Sequence, residues 1–124
     1  MAKILVIDDE PVVLVLLDML LSQKGYDVVL ADGGWKGLEL YRREHPDVVV
    51  LDLNMPEMDG VTVLTHIRRI DLTQPVIVLT GALLPETEQQ IRAFGITEIV
   101  KKESTLDLLG GALTRLLKTP IPTA

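Results

Sequence analysis

The chain of 124 residues contains no cysteine. That excludes disulfides, thiol nucleophiles and thiolate metal sites, and it fits a reducing compartment. Basic residues are in deficit: 12 Lys and Arg stand against 18 Asp and Glu, a formal net charge of −6. Nucleic acid and anionic membrane both call for a basic patch, so neither is expected as a partner. No hydrophobic run is long enough to cross a bilayer. The most apolar stretch, 12–21, is short and carries Asp18. The start, Met1-Ala2-Lys3-Ile4, reaches Asp8 and Asp9 almost at once and is unlike a signal peptide. Repeats, low-complexity segments and composition breaks are all missing, which points to one domain, expected in the cytoplasm.

What is there is organised around Val48-Val49-Val50-Leu51-Asp52. Four apolar residues, three of them β-branched, read as a strand buried on both faces, as inside a parallel sheet. A similar run, Lys3–Ile7, ends at Asp8-Asp9. Another, Val76-Ile77-Val78-Leu79, ends on Thr80-Gly81-Ala82, and a short one, Glu98-Ile99-Val100, leads to Lys101-Lys102. Tyr26–Ala31 reads as the remaining strand. Between them lie helical segments. Pro11 starts the first, with Val13, Leu16, Leu17, Leu20 and Leu21 as its inward stripe and Gly25 as its stop. Trp35–Glu44, Val61–Ile70 and roughly Pro85–Phe94 follow, the last closed by Gly95. A final helix is capped by Ser104 or Thr105 and runs to about Leu117. Strand and helix alternate five times, which predicts an α/β fold, a doubly wound five-stranded parallel sheet with helices on both faces.

In such a sheet, ligands gather beyond the carboxyl ends of the strands. Asp8, Asp9, Asp52, Thr80 and Lys101 or Lys102 all fall there, whereas isolated acids and lysines beside strands usually do no more than aid solubility. Carboxylates packed together repel, and a divalent cation relieves them. An oxygen-only donor set points to Mg²⁺, with Mn²⁺ or Ca²⁺ as alternatives, rather than zinc. His45, before a proline, and His66, inside a helix, are not expected to be ligands. A carboxylate on a rigid strand tip beside Mg²⁺ can attack phosphorus and form an aspartyl phosphate.

These residues resemble the receiver domain of bacterial two-component response regulators. Asp8-Asp9 is similar to that family's acidic pair, and Leu51-Asp52-Leu53-Asn54-Met55-Pro56 followed by Met58-Asp59-Gly60 to its phosphorylation signature. Thr80-Gly81-Ala82 resembles its switch residue and the small residues after it. The resemblance implies a flavodoxin-like strand order 2-1-3-4-5, with the receiver domain over residues 1–118 and a tail or the start of a linker over 119–124. It implies that Asp52 accepts a phosphoryl group from a phosphohistidine on a sensor histidine kinase or phosphotransfer protein. Mg²⁺ would be held by Asp8, largely through water, by Asp9, by Asp52 and by the Asn54 backbone carbonyl. Thr80 would be the switch residue. Lys102, favoured over Lys101 by family spacing, would be the counter-charge. The output would pass to a downstream protein or a covalently linked effector domain, and the chain would not be a turnover enzyme.

Two positions depart from the family pattern. Lys102-Glu103 replaces a common Lys-Pro with a cis bond. Because a cis bond before a non-proline residue costs about 3–4 kcal/mol, a trans bond is predicted. Ile99 stands where many receivers keep a rotating aromatic ring, so the switch is expected to rest on Thr80 and the loops around it. Two other readings remain. One is a pseudo-receiver that binds without being phosphorylated. The other is a Mg²⁺-dependent phosphohydrolase resembling the haloacid dehalogenases, against which Asn54 stands, since it cannot protonate a leaving group. Val12, Val15 and Met19 form an outer apolar line on the first helix, covered in part by the last helix or left as a docking face for the phosphodonor. Trp35 is assigned to packing, and Gly110-Gly111 inside the last helix to the close approach of a neighbour, either the sheet or a partner.

Overall fold

The computed structural model describes residues 2–81, 83–95 and 98–101. Lys102, Glu103, Ala82, the segment expected to form a final helix with Gly110-Gly111, and the tail lie outside the described residues. Five strands alternate with four helices: β1 (Lys3–Ile7), α1 (Pro11–Gln23), β2 (Asp27–Ala31), α2 (Gly34–Glu44), β3 (Val48–Asp52), α3 (Gly60–Ile70), β4 (Val76–Thr80), α4 (Pro85–Ala93) and β5 (Glu98–Lys101). The strands form one parallel sheet in the order β2-β1-β3-β4-β5. Both the parallel class and the 2-1-3-4-5 order agree with the sequence reading.

The apolar runs sit centrally because only there are both faces of a strand covered. Every residue of β3 and β4 is buried. One face of the sheet carries Leu5, Ile7, Val49, Leu51, Val76 and Val78 against Leu38, Leu40 and Tyr41 of α2, Val63, Leu64 and Ile67 of α3, and Ile91 of α4. The other carries Ile4, Val6, Val48, Val50, Ile77 and Leu79 against Leu14, Leu17 and Leu21 of α1. At about 1.5–3 kcal/mol for each fully buried aliphatic side chain, these two layers dominate stability.

Helix ends obey their local chemistry. Asp59 caps α3, its Oδ1 accepting from Thr62 N at 2.8 Å. Gly25 (φ +89°) and Gly95 (φ +73°) take the left-handed conformation that ends α1 and α4, and His45 (φ 49°) does the same after α2. Away from the acidic edge, the buried Arg68 guanidinium donates to the carbonyls of Phe94, Gly95 (2.8 Å) and Gln74 (2.7 Å). It thereby ties α3 to the loop before β4 and to the carboxyl end of α4. Burial pulls the Arg68 pKa down from the usual arginine value, with the Asp71 carboxylate opposing. Gln74 continues the network, accepting from the Tyr41 hydroxyl at 3.4 Å and donating to the carbonyls of Asp47 (3.3 Å) and Pro75 (3.1 Å). Burial, then the Asp71 charge, raises the Tyr41 pKa.

Two expectations require correction. The inward stripe of α1 is Leu14, Leu17 and Leu21, while Leu16 is 46% exposed beside Val12, Val15 and Met19. The helix is apolar nearly all round, so periodicity alone does not fix its rotation. Trp35 is 66% exposed and does not serve as a packing residue. It is the second residue of α2 and lies off the face that buries Gly34, Gly37, Leu38 and Tyr41.

Candidate functional site

The acidic edge follows from strand register. Ile4 pairs with Val48 and Ile7 with Leu51, so the same register extended by one residue sets Asp8 beside Asp52. Both carboxylate-bearing residues are fully buried. The Asp8 N–H still belongs to the sheet, donating to Ala31 O at 3.0 Å, and the Asp8 Oδ1 accepts from Glu10 N at 2.9 Å. That second bond turns the chain sharply after β1, leaving Asp9 partly buried and Glu10 at the surface. Asp52 shows the same device: its Oδ1 accepts from Asn54 N at 3.1 Å, which fixes the rotation of the carboxylate at the strand tip. The loop beyond is held by Leu53 N to Leu79 O at 3.1 Å and Gly60 N to Leu53 O at 3.0 Å.

The outcome is four carboxylates, from Asp8, Asp9, Glu10 and Asp52, each with an oxygen within 4.8 Å of the others. Glu10 is the member that sequence reasoning missed. Its signal was the run of three acids before Pro11, but only the turn at Asp8 brings the third acid back to the first two. The set offers oxygen donors alone, spans buried to exposed, and suits a hard divalent cation such as Mg²⁺, which keeps several waters in its coordination shell.

Thr80 is the last residue of β4 and almost fully buried. It pairs with Lys101, while Asp52 pairs with Leu79, so along the register Thr80 comes one residue beyond Asp52. Thr80, Leu83, Ile99 and Lys101 line a cleft of about 380 Å³, edged by Glu88 and Arg92, which pair at 3.0 Å. Ile99 therefore borders the same cleft as Thr80, although it is not aromatic. Asn54 is exposed and lines a separate groove with Leu53, Asp59 and Leu84. Lys102 cannot be placed in this geometry, being outside the described residues.

Residues 4–114 match the family model described as the response regulator receiver domain. The transcriptional regulatory protein GlrR of Escherichia coli K12 is 37% identical over 117 residues, covering 90% of this chain and 26% of that protein. The sensor histidine kinase RcsC of the same organism is 38% identical over 111 residues, covering 90% of this chain and 12% of that protein. The chain thus spans about a quarter or less of these relatives. Among solved structures, the Vibrio cholerae chemotaxis protein CheY4 superposes with a TM-score of 0.88 at 30% identity, covering 94% of this chain and 98% of that one. A CheY-like receiver domain protein from Methanospirillum hungatei gives a TM-score of 0.88 at 24% identity, with 95% of each chain covered, and bears on the fold alone.

Proposed function

The chain belongs to the response regulator receiver domain family, and from that membership we propose that Asp52 is its phosphoacceptor. A phosphohistidine on a sensor histidine kinase or phosphotransfer protein is the donor. One oxygen of the Asp52 carboxylate attacks phosphorus, a P–O bond forms as the P–N bond to imidazole breaks, and the leaving nitrogen takes up a proton. Asp8, Asp9 and Asp52, with Glu10 at the rim and the Asn54 carbonyl, would hold Mg²⁺ or Mn²⁺. A cation held there would supply charge neutralisation for the phosphoryl oxygens. The hydrogen bond from Asn54 N keeps the nucleophile oriented. Burial of β3 holds it rigid, in keeping with a reaction governed by positioning. Lys102 supplies a counter-charge, and Thr80 with Ile99 on its cleft carries the change to a downstream protein or a linked effector domain. The setting is the cytoplasm. No described helix is long and apolar enough to cross a membrane.

The observation that carries this reading is the buried Asp52 at a strand tip, within 4.8 Å of three further carboxylates. A phosphohydrolase is disfavoured because Asn54, two residues after the nucleophile, offers no proton to a leaving group. The test is incubation with acetyl phosphate and Mg²⁺ followed by intact-mass measurement. One added phosphoryl group, absent in Asp52→Asn, is expected. An unchanged mass with every donor would favour a pseudo-receiver, and rapid turnover of unrelated phosphate esters would favour the hydrolase.

A further inference from the structure

We propose that a groove beside the acidic edge, between the start of α2 and the loop after β3, receives a long basic side chain, arginine or lysine, carried by the phosphodonor protein. Only the identity of the carrier rests on the phosphoacceptor reading; the chemistry of the groove stands apart from it. The groove has a volume of about 450 Å³ and is lined by Asp9, Asp32, Trp35, Lys36, Glu57 and Met58, among others. Its construction begins at Gly34. A Cβ there would lie 2.8 Å from Met58 Sδ and 2.9 Å from Met58 Cβ, so the first turn of α2 rides directly on Met58. Trp35, the next residue and the single tryptophan of the chain, is left as an exposed wall. Met55 and Met58, buried at 6% and 7% exposure, contribute an adaptable apolar lining.

The rim decides the occupant. Asp32 and Glu57 stand on the rim with Lys36, the one ammonium among the described residues that line it, and α2 adds about half a positive charge at its start; Asp9 is committed to the cation site. The groove therefore keeps a negative balance, and Asp9 joins it to the site where the donor must deliver phosphorus. An anion would meet the carboxylates, and a purely apolar group would leave them unused. A long basic side chain matches each part: its methylene stem lies on methionine, its charge reaches the rim, and its cation stands against the indole.

The test titrates the full chain, with Mg²⁺, against N-acetyl-arginine amide and its neutral counterpart N-acetyl-citrulline amide. The readouts are the Trp35 indole N–H resonance and the Met55 and Met58 methyl resonances. The arginine compound should shift them saturably and the citrulline compound should not. The double variant Asp32→Asn, Glu57→Gln should weaken binding by about fivefold or more, while Lys36→Gln should tighten it. Trp35→Ala, followed by the methyl signals, should weaken it about threefold, the size of an exposed cation–π contact. Equal shifts from citrulline, or arginine binding indifferent to the rim charges, would overturn the proposal. In the functional arm, the same rim variants should slow labelling by the protein phosphodonor that labels wild type fastest, by about tenfold. Labelling by acetyl phosphate should stay at the wild-type rate. Equal slowing with both donors would also overturn it. If acetyl phosphate fails to label wild type, the phosphoacceptor reading falls alone, because the arginine titration is read without phosphorylation.

Discussion

Replacing Gly60 by alanine should damage both the fold and the acidic edge, and the structure says why. Gly60 is the first residue of α3, and a Cβ built on it would lie 2.5 Å from the Asp52 carbonyl oxygen and 2.7 Å from Leu53 Cα. Both are backbone atoms at the tip of a fully buried strand, so neither can swing aside as the end of a side chain can. Helix or strand tip would have to shift by about 0.5 Å or more, and overpacking of this kind costs about 1–3 kcal/mol. Against it stands the helix preference for alanine over glycine, at most about 1 kcal/mol and smaller at a first position. The clash wins. Urea unfolding should show a loss of about 2 kcal/mol, and labelling of Asp52 by acetyl phosphate should slow because its strand tip has moved. Gly37→Ala is the control. Its Cβ would meet side-chain atoms alone, Ile7 Cδ1 at 2.6 Å, Cγ1 at 2.9 Å and Cγ2 at 3.0 Å, and it lies inside α2 where alanine gains most. Its loss should be the smaller of the two. Wild-type stability in Gly60→Ala, or a larger loss in Gly37→Ala, would refute the reasoning from backbone contact.

Arg68→Met keeps the apolar stem but strips the donors from the carbonyls of Gln74, Phe94 and Gly95. A loss of about 2–4 kcal/mol is expected, with hydrogen exchange rising first at the carboxyl end of α4. Protection unchanged at Phe94 and Gly95 would speak against the tie. Asp71 is held below its ordinary value near 3.8, chiefly by hydrogen bonds from Thr73 N and Thr73 Oγ1. A depressed carboxyl stabilises above its unfolded pKa and loses that contribution as pH falls through the folded one. Thr73→Val should therefore unfold at lower urea than wild type at pH 6, and the gap should close as the solution is acidified below about 3.8; a gap that persists in acid would place its cause elsewhere. Mg²⁺ should raise the thermal midpoint, by the equivalent of about 2.7 kcal/mol at a hundredfold excess over its dissociation constant. Asp9→Asn should reduce this response, and an equal response in the variant would remove Asp9 from the metal site.

Much of this was legible in the sequence where physics is local. The buried strands announced themselves as unbroken apolar runs, and Asp52, Asp8 and Asp9 followed from where those runs stop. Gly25 and Gly95 end their helices as read, because a left-handed residue is a local demand. What escaped depends on distant chain. Arg68 looks like a surface residue in a helical pattern, and only the convergence of carbonyls from two other segments makes its burial tolerable. Leu14 and Leu16 exchanged roles because nothing in an almost wholly apolar helix marks its inner side. A packing role for Trp35 does not hold, because Gly34 seats the helix on Met58 and leaves the ring outside. Glu10 needed the turn at Asp8.

With all five residues of β3 buried, its interior carries no polar mark to distinguish one alignment from the next. Alignment is held at the ends, by Asp47 N to Lys3 O at 2.8 Å and Leu53 N to Leu79 O at 3.1 Å. For the lineage of this chain that sets an uneven tolerance. Valine, isoleucine and leucine can trade places within the strand at modest cost over many generations. The gain or loss of one codon between Asp47 and Asp52 would instead put a leucine where the carboxylate stands and carry the acid into the buried apolar position beside it, where a charge is costly.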